Sequence, residues 1–163
     1  MSDDVMSTLS AGDADRILEL NNEHAVETSM LDLAATSHLL AMCFYAKGIG
    51  FGARGFLLAL DQDAAYDNFN FQWFRSRFER FVYIDRIIVA KDARGQGFAR
   101  LMYEDLFANA KAAGHVRVVC EVNIDPPNEG SLAFHRSMGF AALADVAVKG
   151  GSKRVRYLVK ELR

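Results

Sequence analysis

The chain has 163 residues, 51% of them hydrophobic and 25% charged, with a formal net charge of −2. That length lets one domain bury a core without disulfide or metal staples. The near-neutral balance excludes a general attraction to nucleic acid or anionic membrane. No apolar run approaches the roughly 20 residues of a membrane span. The opening Met1-Ser-Asp-Asp lacks the basic-then-apolar order of a signal peptide, so the expected setting is the cytoplasm. Cys43 and Cys120 lie inside apolar runs and read as reduced, buried thiols. No histidine or cysteine pair has metal-ligand spacing, and no metal is expected. Without a repeat, low-complexity tract or linker, residues 1–163 are expected to form a single domain.

In chain order, residues 5–9 predict a short strand. Ser10-Ala-Gly-Asp13 opens a helix with Ile17, Leu18 and Asn21 on one side. Residues 29–32 read as a second capping box before a short helix through Leu33, Ala34 and Ser37. Glu19, Glu23, Glu27 and Asp32 have two readings: a solvated helix face, or an acidic rim that attracts a cationic substrate. Residues 39–46 and 55–60 are apolar runs of strand length around a loop with four glycines, Lys47-Gly-Ile-Gly-Phe-Gly-Ala-Arg-Gly. They predict an antiparallel hairpin. Residues 66–83 carry eight aromatic rings interleaved with Arg75, Arg77 and Arg80, the look of a single-strand nucleic-acid platform. Phe71, Phe74 and Phe78 fall at i, i+3 and i+7, however, so packing is the better reading.

Residues 81–89 form a β-branched and aromatic strand. The turn after it, Arg94-Gly-Gln-Gly97, runs into a helix from about Phe98 to Ala113, with Phe98, Leu101, Met102, Leu106 and Ala110 on its apolar face. Unpaired backbone N–H groups converge where a strand meets a helix N-terminus through glycines, which makes an anion site. Residues 116–122 are so apolar that they predict a central strand. A turn at Asp125-Pro-Pro-Asn128, a short helix to about Met138 and a closing hairpin around Gly150-Gly151 complete the chain. Glycine is missing at position 100 for a dinucleotide fingerprint, and no Gly-Lys-Ser/Thr follows for a Walker box.

The stretch Val89-Ala-Lys-Asp-Ala-Arg94-Gly95-Gln96-Gly97-Phe98-Ala99 resembles the acetyl-CoA-binding signature R/Q-x-x-G-x-G/A of the GNAT superfamily of N-acetyltransferases. Arg94, Gly97 and Ala99 fill its defining positions. A second stretch, Asn128-Glu-Gly-Ser131-Leu-Ala-Phe134-His135-Arg-Ser-Met-Gly139-Phe140, is similar to the family's N-x-x-A/S-x-x-F-Y-x-x-x-G-F. The likeness covers residues 82–140. It implies an α/β (α+β) fold: a mixed, mostly antiparallel sheet of six to seven strands flanked by about four helices, with splayed central strands.

The resemblance also implies acetyl-CoA as co-substrate and a primary amine, of a small molecule or peptide, as acceptor. The acetyl group would move by direct attack of the amine on the thioester. Backbone N–H groups of Gly95, Gln96, Gly97, Phe98, Ala99 and Arg100 would hold the pyrophosphate, with charge from Arg94 or Arg100. Ile87, Ile88 and Val89 would pair with the pantetheine arm, with backbone N–H near Val89 for the oxyanion. Asn128 would bond the arm's amide, and Ser131 and Phe134 belong to the same motif.

Glu121 resembles the glutamate that some members use as general base. The alternative is a structural hydrogen-bond acceptor, and Asp85 is a weaker candidate base. His135 stands where tyrosine usually serves as the acid. Its two readings are a general acid and a helix histidine without a proton role. The missing tyrosine also admits a non-catalytic acetyl-CoA-binding sensor or partner subunit. The closing hairpin offers an edge for a homodimer.

Overall fold

The computed structural model describes residues 6–24 and 30–163. After β1 (Met6–Thr8), the Ser10 backbone N–H donates to Asp13 Oδ2 at 2.9 Å, as the capping box predicts, and α1 (Ala14–Glu23) follows. Ile17 and Asn21 are buried with Leu20, while Leu18 is half-buried. The second helix, α2 (Leu33–Met42), begins at Asp32, whose carboxylate accepts from Ala35 N at 2.7 Å. Ser29 and Glu27, which the sequence reading also used, lie outside the described residues.

One boundary needs correction. Residues 39–42 were expected to begin a strand, but they end α2, and β2 is Tyr45–Ile49. Leu, Ala and Met favour a helix over the pleated strand that β-branched residues prefer, and the Asp32 cap fixes the start. The glycine loop is correspondingly shorter, because Lys47 and Gly48 belong to β2, which pairs antiparallel with β3 (Gly55–Asp61). Next come α3 (Phe69–Arg75), β4 (Val82–Val89), α4 (Phe98–Ala112), β5 (Arg117–Asp125), α5 (Glu129–Ser137), β6 (Ala141–Val148) and β7 (Lys153–Glu161).

The strands form one sheet in the order β1-β2-β3-β4-β5-β7-β6. Every neighbouring pair is antiparallel except β4 and β5, which are parallel and joined by α4. The closing hairpin inserts β7 beside β5 and leaves β6 at the edge. This is the mixed, mostly antiparallel sheet expected, with seven strands and five α-helices among the described residues, where about four helices were expected.

Two cores lie on the two faces. One holds Val82, Ile84, Cys120 and Val122 against Met102, Tyr103 and Leu106 of α4. The other holds Tyr83, Val119 and Tyr157 against Ile17 of α1, Leu39 of α2 and Phe71 and Phe74 of α3. Phe71, Phe74 and Phe81 are wholly buried, so the arginine-interleaved aromatic stretch is a core element. A buried ring of this size contributes roughly 1.5–3 kcal/mol by leaving water. Both cysteines are free thiols.

Candidate active site

The parallel ladder between β4 and β5 holds only two residue pairs, Val82 with Val118 and Tyr83 with Val119. Beyond them the strands part. The cause lies on β4, where Ala59 pairs with Ile84 and Leu58 with Arg86, so Asp85 is an extra residue. Such a bulge bends its strand and breaks the ladder locally. A cleft of about 440 Å³ occupies the gap. It passes through the sheet, because its lining includes Tyr103 and His135 on the α4 side and Glu121, Asn70 and Lys153 on the α3 side.

On the α4 side, Gly95 and Gly97 adopt φ of 81° and 79°. This left-handed region is strained for a residue with a Cβ. A Cβ built at either glycine meets nothing within 4 Å, so the space over the turn is open. Gly97 begins α4 with no side-chain cap, and the first helical bond runs from Leu101 N to Gly97 O at 3.0 Å. The N–H groups of Phe98, Ala99 and Arg100 are therefore left without helical acceptors. This uncapped terminus under open space fits a pyrophosphate.

Gln96 is exposed beside the glycines. Arg94 Nε donates to Val89 O at 3.3 Å, and Arg100 lies 3.4 Å from Ser137 Oγ and 3.8 Å from Glu104. Ile87 and Val89 face the α4 core, while Ile88 is buried on the opposite face. Asn128 caps α5 by accepting from Ser131 N at 3.2 Å, which leaves its Nδ2 hydrogens for the cleft it lines. The Phe134 ring packs edge-on against Tyr103 at 5.2 Å.

Glu121 sits on β5 opposite Tyr157 and shares its face of the sheet. Tyr83 O–H donates to Glu121 Oε1 at 2.6 Å. Burial, with the charge of Asp85 adding to it, raises the carboxyl to about 7 against the lowering effect of the Tyr83 hydrogen bond and of the Lys153 and Arg86 charges. A carboxylate half-ionised near neutral pH suits a general base. Asp85 lines the same cleft but is committed elsewhere: it pairs with Arg86 Nε at 2.6 Å and accepts from Tyr66 O–H at 2.5 Å. Arg86 in turn donates to Asn21 of α1 at 2.8 Å.

His135 is 4% exposed. Its Nδ1 lies 2.7 Å from the Ser131 carbonyl and its Nε2 lies 2.7 Å from the Tyr103 hydroxyl. A carbonyl only accepts, so Nδ1 carries the proton and Nε2 accepts from Tyr103. Burial lowers the histidine pKa, opposed by the Ser131 bond. The resting ring is thus neutral, with both nitrogens engaged.

The cleft therefore brings together Glu121, His135, Asn128, Ser131 and Ile87, and among the described residues of the acidic rim it is lined by none of Glu19, Glu23 and Asp32. Glu19 and Glu23 are exposed on α1, and Asp32 is a helix cap. Sequence reasoning missed Tyr103, although its signal was present. Spaced i, i+3 and i+7 with Leu106 and Ala110, it falls on the apolar stripe of α4, and a buried phenol needs a hydrogen-bond partner. It also missed Tyr83, Lys149 and Lys153, which only the fold brings to the cleft. Among the described residues, no cluster of three or more metal-ligating side chains occurs and no helix is long and apolar enough to cross a membrane.

A search of curated protein sequences returns no match. Among solved structures the fold is similar to Ard1 from Thermoplasma volcanium, with a TM-score of 0.78, 13% identity and 99% of each chain covered. It is similar to the ribosomal-protein-S18-alanine N-acetyltransferase from Escherichia coli, with a TM-score of 0.71, 15% identity, and coverage of 98% of this chain and 94% of that one. It is also similar to yncA from Salmonella typhimurium, solved with its cofactor acetyl-CoA, with a TM-score of 0.71, 18% identity, and coverage of 99% and 95%. The model of the acetyltransferase (GNAT) family matches residues 52–140, more than half of the sequence, so the chain belongs to that family.

Proposed function

We propose that the protein is an acetyl-CoA-dependent N-acetyltransferase of one domain that moves the acetyl group to a primary amine by direct attack on the thioester. The observation that carries this reading is the cleft through the sheet. It opens on the α4 side beside Ser131 and Asn128, and on the α3 side at a glutamate whose pKa is about 7. Acetyl-CoA, when bound, supplies the activated acetyl group.

The α4 N-terminus and Arg94 hold the pyrophosphate, residues 87–89 and Asn128 hold the arm, and the parted edge of β4 presents backbone N–H to the carbonyl oxygen. Glu121 accepts the acceptor's ammonium proton. His135 stands at the thiol end with Tyr103 on its Nε2. A neutral ring of lowered pKa is a poor proton source. Glu121 therefore takes the larger share of the rate enhancement and acid assistance from His135 the smaller.

The acceptor is a small-molecule amine or a peptide or protein amine. The peptide class is supported by the likeness to an enzyme that acetylates the alanine of a ribosomal protein. Free thiols fit a cytoplasmic setting, and β6, the last strand of the sheet, is the edge on which a homodimer would pair. The test is incubation with acetyl-CoA and a panel of amines, amino acids and peptides, following release of free thiol. Release above background with at least one amine class is the expected result. Background release with every class, alongside tight coenzyme A binding, would make the protein a binder without turnover.

A further inference from the structure

The cleft has opposite electrical character at its two depths. Asp85 and Arg86 cancel as a buried pair, which leaves Glu121 as the inner charge on the acceptor side. The outer charges there are Lys149 and Lys153 at the turn between β6 and β7. Among the described residues no carboxylate lies within ion-pair distance of either lysine, and Glu121 acts on Lys153 through its charge from deeper in the cleft. Lys153 shares the sheet face of Val155 and Tyr157 by the alternation of β7, and Tyr157 pairs directly with Glu121. The lysines therefore stand on the acceptor side, across the sheet from the α4 terminus and its pyrophosphate site.

We propose that the acceptor carries an anionic group beyond its amine, and that Lys149 and Lys153 bind this group while the amine meets Glu121. The inference rests on the acetyltransferase reading and names the acceptor class for that site. The spacing selects among anions. Lys153 is four residues along β7 from Tyr157, about 13 Å of strand, and its side chain shortens the gap to Glu121. Two residues of extended peptide reach about 7 Å. A free α-amino acid, with its carboxylate on the carbon that bears the amine, is too short. An acidic side chain near the start of a peptide has the right length, as does a small amine with a distant carboxylate.

The neighbouring cations also disturb each other. Burial lowers the pKa of Lys153 and the charge of Lys149 lowers it further, against the raising effect of Glu121, and an anion placed between the lysines would relieve the second effect. Amines without an anionic group would meet two cations at the mouth, with Glu121, deeper in the cleft, as the carboxylate whose charge acts on Lys153. Polyamines would be repelled.

The test compares acceptors matched except for charge. Thiol release is measured for a peptide with Glu at its second residue, the same peptide with Gln, and a small ω-amino carboxylate with its amide. The acid-to-amide ratio of kcat/KM is expected to be about tenfold for two partly exposed lysines and to shrink as salt is raised. In Lys149→Glu the ratio is expected to fall to about one or invert. Because it is read within each variant, a general loss of activity cancels. The source showing the larger ratio, peptide or small amine, identifies the natural class. Equal rates for acid and amide, or a ratio untouched by Lys149→Glu and by Lys149→Ala with Lys153→Ala, would overturn the inference and leave the acetyltransferase reading standing. No release with any acceptor would overturn both.

Discussion

Replacing Glu121 by glutamine removes a titrating carboxyl while keeping an oxygen that can accept from Tyr83 O–H, now 2.6 Å from Oε1. With a pKa of about 7, the wild-type group is about half ionised at pH 7 and about one-tenth ionised at pH 6. A general base contributes about 10²–10⁴-fold, so Glu121→Gln is expected to cut kcat at pH 8 by about 100-fold, or about 2.7 kcal/mol of barrier. Thiol release at saturating acetyl-CoA and amine, followed from pH 5.5 to 9, should show a limb near pH 7 in the wild type and none in the variant. The same shift predicts stability. Raised from an ordinary 4.5 to about 7, the carboxyl holds its proton more tightly in the folded chain, a difference of about 3 kcal/mol. That contribution is complete below pH 4.5 and lost as pH rises through 7. In urea unfolding the variant should thus match the wild type near pH 4.5 and exceed it by up to about 3 kcal/mol at pH 8. A variant that keeps its activity within about threefold, retains the limb and gains no stability at pH 8 would refute the assignment.

Asp85 raises the pKa of Glu121, so Asp85→Asn should move the wild-type limb to lower pH. It should also cost about 3 kcal/mol in denaturant unfolding, because buried Arg86 loses its 2.6 Å partner. Gly97→Ala places a Cβ at φ 79° in open space, so a loss of about 1–2 kcal/mol in stability and weaker coenzyme A binding by calorimetry are expected; unchanged binding would remove the turn from the cofactor site. For His135→Phe, a fall in kcat of about tenfold or less, with acetyl-CoA affinity preserved, follows from the ring's lowered pKa. A fall as large as that of Glu121→Gln would return the principal acid role to the histidine.

By itself the sequence determined the elements whose local chemistry is self-sufficient. The glycines at 95 and 97, the Ser10–Asp13 capping box and the apolar face of α4 depend on backbone conformation and helical period, which neighbouring residues dictate. The fold family followed from two such segments at the right separation. The boundary near residue 42 differs because a short apolar run suits helix or strand equally, and no glycine or proline before Gly48 marks where the helix stops.

The tertiary structure alone decided the electrostatics. Glu121 has a pKa near 7 because the fold closes over it and brings Asp85 close. Asp85 itself is held by Arg86, next in the chain, and by Tyr66, nineteen residues away. His135 has a lowered pKa because burial strips it of water, and α4 delivers the Tyr103 hydroxyl to its Nε2. The lysines reach the α3-side mouth of the cleft because β7 is inserted next to β5. Desolvation and charge proximity are properties of the assembled surroundings, and residues far apart in the chain supply them.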